Sequence, residues 1–224
     1  EVIRHFYDEK RGVLLNGYNK DGEIDSRITI FSQVFGVLYD FVTVDQYPKL
    51  VDAFNHNSVK RHASLSLNYY FELQAYCKMG QMKMAMHAIK QDIGGIITSG
   101  DRRIYEDINR SGERTLDFYG RKYGKSLCHA VIGAAPVVAL SKYVIGIQPV
   151  FVEGLVYRFS PQKSILNSVT GTIPTPKGNI EVVIINEQMT IKVPKGIKII
   201  IDDEISGIIS NVIDQAGTYH LRRQ

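Results

Sequence analysis

Cysteine is scarce in this chain: 224 residues hold two, Cys77 and Cys128, both in helix-like segments. Neither a disulfide framework nor a metal-ligand spacing can be built from that pair, and no cofactor or metal is expected. Long apolar runs are missing too. No stretch approaches the ~20 residues that span a bilayer, and no basic-plus-apolar leader opens the chain, so neither a membrane partner nor a signal peptide is expected. An excess of charge of one sign is missing as well. The formal net charge is +4, the isoelectric point about 8.9, and the basic residues come as scattered pairs such as Arg102 with Arg103, Arg121 with Lys122 and Arg222 with Arg223. Without a dense basic run beside aromatic platforms, nucleic acid is not an expected partner. The common chemical signatures are absent as well: no GxxxxGK[ST], no GxGxxG after a strand, no HExxH, no CxxC and no GxSxG. Phosphate-cradling loops, zinc sites and the esterase elbow therefore have no support.

What is present is enough apolar sequence, 44% of residues, to bury a sizeable core in one large or two smaller domains. The periodicity changes near residue 148. Before it the pattern is helical. "DSRITIFSQVFGVLYDFV", from Asp25, spaces Ile28, Phe31, Phe35, Leu38 and Val42 by three and four, which predicts a helix with those residues on its apolar face. "DQYPKLVDAFNHN" predicts a shorter helix with Pro48 in its first turn. "SLSLNYYFELQAYCKMG" ends at Gly80 and "QMKMAMHAIKQDIGG" follows at once, ending at Gly94 and Gly95, which predicts an antiparallel helical hairpin. Tyr69, Tyr70 and Tyr76 fall at helical spacing and read as packing. "SLCHAVIGAAPVVALSKYVIG" is apolar almost all round and predicts a buried helix bent at Pro136. After Gly146 the period is two. Met189, Ile191 and Val193 alternate with Thr190 and Lys192, and Ile197, Ile199 and Ile201 alternate in the next strand, as in an antiparallel β-sandwich. The organisation expected is a helical part over residues 1–148 and a β-sandwich over 149–224.

One short stretch stands out chemically. "TSGDRRIYED", residues 98–107, places two arginines, a tyrosine and three carboxylates immediately after a helix. In order along the chain come "GDRRIYE", a variable insertion, "SLCHAVIGAAP", "VIGIQP", "FSPQ", "VTGTIPTPKGNIEV" and "IKVPKG". This order, from about Gly17 to Lys195, resembles the C-terminal half of the inverting α-L-rhamnosidases of glycoside hydrolase family 78. Those enzymes read G-A-T-T-x-W-E, C-H-x-W-S, L-G-[IV]-x-P and G-x-[VI]-P-T-P-x-G-x-I in the same order. The resemblance implies part of an (α/α)6 barrel followed by a C-terminal antiparallel β-sandwich. It implies that Glu106 is the general base that activates water and that His129 contacts the sugar. It also implies that Tyr105 stands where an aromatic, usually tryptophan, precedes the glutamate. The chain departs from the pattern at Asp101, Arg102 and Arg103, which replace small residues, and it contains no tryptophan at all.

The chemistry of Glu106 can be followed independently. An inverting glycosidase needs one ionised carboxylate to take a proton from water and a second carboxylic acid about 6.5–9.5 Å away to protonate the leaving oxygen. Arg102 and Arg103, if they face Glu106, favour its charged form, which suits a base; Arg103 is taken as a further substrate-binding candidate. The complementary acid belongs, by the resemblance, to an upstream acidic motif that this chain lacks, and five helical segments stand against the twelve of a complete barrel. Read locally, Glu106 is instead a surface carboxylate paired with Arg103 or Arg110, and His129 a core histidine bonded to a backbone carbonyl. Tyr119 and Tyr123 are candidates for a substrate rim. Two other readings fit the same residues. One is a non-catalytic carbohydrate-binding module in which Asp101, Arg102 and Arg103 fill the pocket. The other is a hydrolase of the same barrel whose arginines grip a uronic acid carboxylate.

A helical part that is only half a barrel leaves apolar faces for another segment to cover. The expected ones carry Phe31, Phe35 and Leu38, and Val137 and Leu140. The expected partners are a rhamnose-containing glycan or glycoside, together with an upstream half of the same protein or a second chain.

Overall fold

The computed structural model describes residues 5–25, 27–59, 61, 64–65, 68–98, 108–109, 130–150, 153–163, 166–206 and 211–223. The chain divides into two compact units, Glu1–Pro136 and Val137–Gln224. No helix among the described residues is long and apolar enough to cross a membrane.

The first unit opens with two short antiparallel ribbons, β1 (Tyr7–Asp8) with β2 (Val13–Leu14), and β3 (Gly17–Tyr18) with β4 (Ile24–Asp25). Helix α1 follows at Ile30–Leu38, shorter at both ends than the apolar spacing predicts. Its start is delayed because Asp25 belongs to β4 and its carboxylate accepts from the backbone N–H and the side chain of Arg27, a local alternative to helical pairing. Its end is fixed by Asp40, whose φ of 60° leaves the helical region. There Lys78 Nζ donates to Leu38 O at 3.1 Å and to Asp40 Oδ1 at 2.7 Å, so a cation meets the helix C-terminus.

The apolar face predicted for α1 is not the side that it buries most. Phe31, Phe35 and Leu38 are only part-buried, and the fully buried stripe is Ile30, Gln33, Val34, Gly36 and Val37. Gln33 explains the shift. Its Nε2 donates to Leu14 O at 2.6 Å and its Oε1 accepts from Leu14 N at 2.8 Å, so a side-chain amide completes β2 as a neighbouring strand would. Phe35 stays at the margin, its ring 5.2 Å from Phe71 and 6.1 Å from the exposed Tyr39.

Helix α2 (Tyr47–Asn55) carries Pro48 in its first turn, as its sequence predicts, and buries Tyr47, Leu50, Ala53 and Phe54. Helix α3 (Asn68–Lys78) turns at Gly80, with φ of 72°, into α4 (Met82–Thr98), which packs on it. Tyr69 and Tyr76 are buried, in keeping with packing. The glycine pair does not end α4, as the sequence pattern predicts. The helix continues to Thr98, whose hydroxyl donates back to the carbonyls of Gly94 and Gly95, both at 3.0 Å.

Helix α5 (Ala130–Ala139) leads into a π-helical turn at Leu140–Val144. Pro136 lies inside it and cannot donate a helical hydrogen bond. The helix is not buried all round: Ile132, Ala135 and Ala139 are buried, while Val131 and Val137 are 39% and 61% exposed. An apolar composition does not by itself assign an inward side, because nothing polar marks the outward one.

In the second unit, β7 (Ile147–Pro149), β8 (Val156–Phe159), β12 (Lys198–Ile201) and β14 (Val212–Ile213) form a four-stranded sheet ordered β14-β12-β8-β7. A five-stranded sheet, β13-β15-β11-β10-β9, holds β9 (Ser168–Thr175), β10 (Gly178–Ile185), β11 (Gln188–Val193), β13 (Ile205–Ser206) and β15 (Gly217–Arg223). Pairings are antiparallel except that β12 runs parallel to β8. The inner faces of both sheets share one core, in which Met189, Ile191, Val193, Ile197, Ile199 and Ile201 are at most 2% exposed, as the alternation predicts. β9 and β10 are joined by a two-residue turn at Pro176–Lys177, closed by Thr175 Oγ1 donating to Gly178 O at 2.6 Å.

Candidate functional site

The predicted site residues Arg103, Tyr105, Glu106 and His129, with Tyr119, Tyr123 and Cys128, lie outside the described residues. What is described is the frame on both sides of them. Helix α4 ends at Thr98, one residue before the segment 99–107. Its continuation past Glu106 is a strand, β6 (Ile108–Asn109), which pairs antiparallel with β5 (Ser64–Leu65) in the register Ser64↔Asn109 and Leu65↔Ile108. Helix α5 begins at Ala130, directly after His129.

Beside this frame lies a buried ionic cluster that the sequence reading missed. Arg61, three residues before β5, donates through Nε to Glu72 Oε1 on α3 and through Nη2 to Asp92 Oδ2 on α4, the latter at 2.6 Å. Glu72 and Asp92 are only 3% and 4% exposed. The Tyr76 hydroxyl donates to the same Glu72 oxygen at 2.9 Å. Burial works against the Arg61 charge, but the attraction of Glu72, the hydrogen bond to it and the attraction of Asp92 outweigh burial and raise its pKa above the ordinary arginine value. The guanidinium is thus permanently charged and held at two points. A signal for the cluster did exist in the sequence. Asp92 continues the buried stripe Met82, Ala85, Ala88, and Glu72 sits between the buried Tyr69, Leu73 and Tyr76. A carboxylate on an apolar stripe demands a cation, but the pattern does not say which one.

Three of the motif segments that carry the family resemblance meet inside the second unit, where they pack rather than react. Gly146 of "VIGIQP" has φ of 82°, and a Cβ there would lie 2.2 Å from the backbone nitrogen of Pro161 in "FSPQ". Ser160 N donates to Gly146 O at 2.8 Å. A Cβ on Gly171 of "VTGTIPTPKG" would lie 2.1 Å from Ile145 Cδ1. Ser160 Oγ donates to Asp202 Oδ2 at 2.7 Å and ties the same corner to the end of β12. Close approach of backbone, not chemistry, accounts for these residues. Among the described residues no group of three His, Cys, Asp or Glu side chains could hold a metal ion.

No family model and no curated relative matches the sequence. Solved structures do match the fold. The family 78 rhamnosidase of Bacillus sp. GL1 superposes on 90% of this chain with a TM-score of 0.65 at 15% identity, the match covering 22% of that protein. The α-L-rhamnosidase of Aspergillus terreus covers 97% at a TM-score of 0.64 and 12% identity, over 25% of its length. That of Streptomyces avermitilis, solved with L-rhamnose, covers 92% at 0.58 and 14%, over 22% of its length. The chain therefore spans about a quarter or less of the structures it matches. It has the fold of a fragment of a family 78 α-L-rhamnosidase, a helical part followed by a β-sandwich.

Proposed function

We propose that this chain is the base-bearing portion of an inverting glycoside hydrolase that releases terminal α-L-rhamnose. In this reading residues 1–148 contribute to a helical barrel and 149–224 form the sandwich that follows it. Glu106 takes a proton from the attacking water, Arg103 helps to keep it ionised, and His129 and Tyr105 contact the sugar. The general acid comes from a segment outside this chain. The observation that carries the reading is the agreement of two independent signals: rhamnosidase folds superpose on nine-tenths or more of the chain, and the motifs from "GDRRIYE" to "VTGTIPTPKGNI" occur in the family's order.

The test uses the whole protein that contains this chain, assayed on an aryl α-L-rhamnoside. Glu106→Gln should lower kcat by about 10²-fold or more, the usual cost of losing a positioned base. A rate within a few-fold of the parent would remove Glu106 from that role. Glycan binding without turnover by the parent would favour a binding module instead. Turnover confined to acidic oligosaccharides would assign Arg102 and Arg103 to a uronate.

A further inference from the structure

The second unit holds a pocket that its own side chains do not fill. It forms where separate stretches of the chain meet: the π-helical turn at Val144, the segment leaving β8 at Lys163, the start of β9 at Val169, the β10–β11 turn at Asn186 and the end of β15 at Arg223. Its volume is about 160 Å³. A protein cavity of about 150 Å³ admits one benzene ring, so this space takes one six-membered ring. Lys163, Asn167 and Asn186 are exposed, which leaves the substituents of such a ring a way out to solvent.

Main-chain hydrogen bonds tie these stretches to one another. Asn186 N donates to Asn167 O at 3.1 Å, Arg223 N to Glu187 O at 3.1 Å and Gln162 N to Tyr143 O at 2.8 Å. The walls are therefore set by the backbone, and a ligand has little to order on arrival.

The lining selects by chemistry. Val144 and Val169 are buried and Ile184 is half-buried, which gives an aliphatic wall. Asn167 and Asn186 bring amides that both donate and accept. Asn186 has a φ of 54°, where glycine carries no penalty, yet the position keeps a side chain at the rim. No aromatic side chain is among the described lining residues, so a flat aromatic ligand finds nothing to stack on. The charges balance. Arg223 Nε lies 3.6 Å from Glu187 Oε2 and its Nη1 3.8 Å from Glu204 Oε2, so the two cations Lys163 and Arg223 stand against two carboxylates. Neither an anion nor a cation is drawn in by net charge. The match is a neutral ring with an aliphatic face and hydroxyl groups around its edge.

We propose that this pocket binds one neutral pyranose residue, a sugar site within the sandwich. Only the choice of L-rhamnose as the first probe rests on the functional reading above. The test follows amide hydrogen exchange in the whole protein that contains this chain, with and without L-rhamnose, D-glucose, D-glucuronate and D-glucosamine. At about ten times Kd, with Kd roughly 1–10 mM for one small ring, at least one neutral sugar should slow exchange at Asn186 and Arg223 by about tenfold. Removing both rim amides, Asn167→Ala with Asn186→Gly, should weaken that binding by about tenfold or more, while glycine keeps the turn. No protection by either neutral sugar would overturn the proposal, as would protection confined to the glucuronate or the glucosamine. Undiminished protection in the double variant would overturn it as well. Should the double variant not fold, Asn167→Ala alone, at an exposed position, is held to the same criterion. A parent protein that is protected here by a neutral sugar but hydrolyses no rhamnoside keeps the pocket and loses the functional reading; turnover of the rhamnoside without protection here does the reverse.

Discussion

The helical unit and the sandwich keep different things inside. The buried polar and charged side chains among the described residues, Gln33, Glu72, Gln74 and Asp92, all belong to the helical unit. The core between the two sheets is made of aliphatic, methionine and aromatic side chains, with Phe159, Ile180, Val182, Ile191 and Ile199 completely buried. The cause lies in the backbone. Strands in a ladder satisfy one another's N–H and C=O groups, so alternation of apolar side chains suffices to define the inside. The helical unit also holds backbone and charge outside any such ladder, as at Leu14 and at Arg61. Side chains borrowed from distant helices satisfy or anchor these. One unit is specified by area, the other partly by polar geometry.

That contrast can be broken at its strongest point by cutting into the apolar core. Phe159→Ala, at a completely buried position, should destabilise the protein by about 3–5 kcal/mol in denaturant unfolding. A loss below about 1 kcal/mol would mean that the sandwich core is not tightly packed. The matching experiment in the helical unit is Gln33→Leu, a change that adds apolar surface. It should nonetheless cost roughly 2–3 kcal/mol, because the N–H and C=O of Leu14 would remain buried without their partner. If Gln33→Leu proved neutral, buried polar geometry would not be what holds β2 against α1.

The smallest expected effect sharpens the comparison through pH. Burial, together with the negative charges of Asp45, Glu9 and Asp8, raises the Tyr7 pKa above its ordinary value of 10.0, and burial with the same sign of result raises that of Tyr47. A raised folded pKa means that the contribution to stability is fully present below pH 10 and is lost as the pH climbs through the folded value. The Tyr7 hydroxyl has no hydrogen-bond partner among the described residues. Tyr7→Phe should therefore leave stability at neutral pH unchanged or raise it by less than about 1 kcal/mol, and should reduce the alkaline loss. Unfolding midpoints at pH 7 and pH 11 check both parts, and a variant that loses stability at pH 7 would contradict them.

What could be read from the sequence follows the same division. Met189, Ile191 and Val193, and Ile197, Ile199 and Ile201, announce their strands and their inward face together, because one local alternation encodes both. The helices are equally visible as elements, but their orientation is not. Phe31, Phe35 and Leu38 outweigh Gln33 on any apolar scale, yet Gln33 is the residue inside, because its partner at Leu14 lies 19 positions away and belongs to the main chain. The frame of the candidate site has the same character. Glu106 and His129 stand in motifs that can be matched in order, whereas Arg61, Glu72 and Asp92 come from segments 11 and 31 residues apart and acquire meaning only when the helices meet. Contacts that a periodicity expresses are legible; contacts that join separate segments are not.

The parallel pairing of β8 with β12 has a kinetic consequence. Val156 lies opposite Lys198, and the chain between them builds β9, β10 and β11 into the other sheet by way of two tight turns. Those hairpins involve short loop closures and are expected to form early, whereas β8 must wait until the whole meander is in place before its neighbour arrives. During that interval β8 has one open edge, which can capture a strand from another molecule. The step that completes the four-stranded sheet is thus the one at which assembly of this unit competes with aggregation, and the competition is settled by how quickly β12 is delivered.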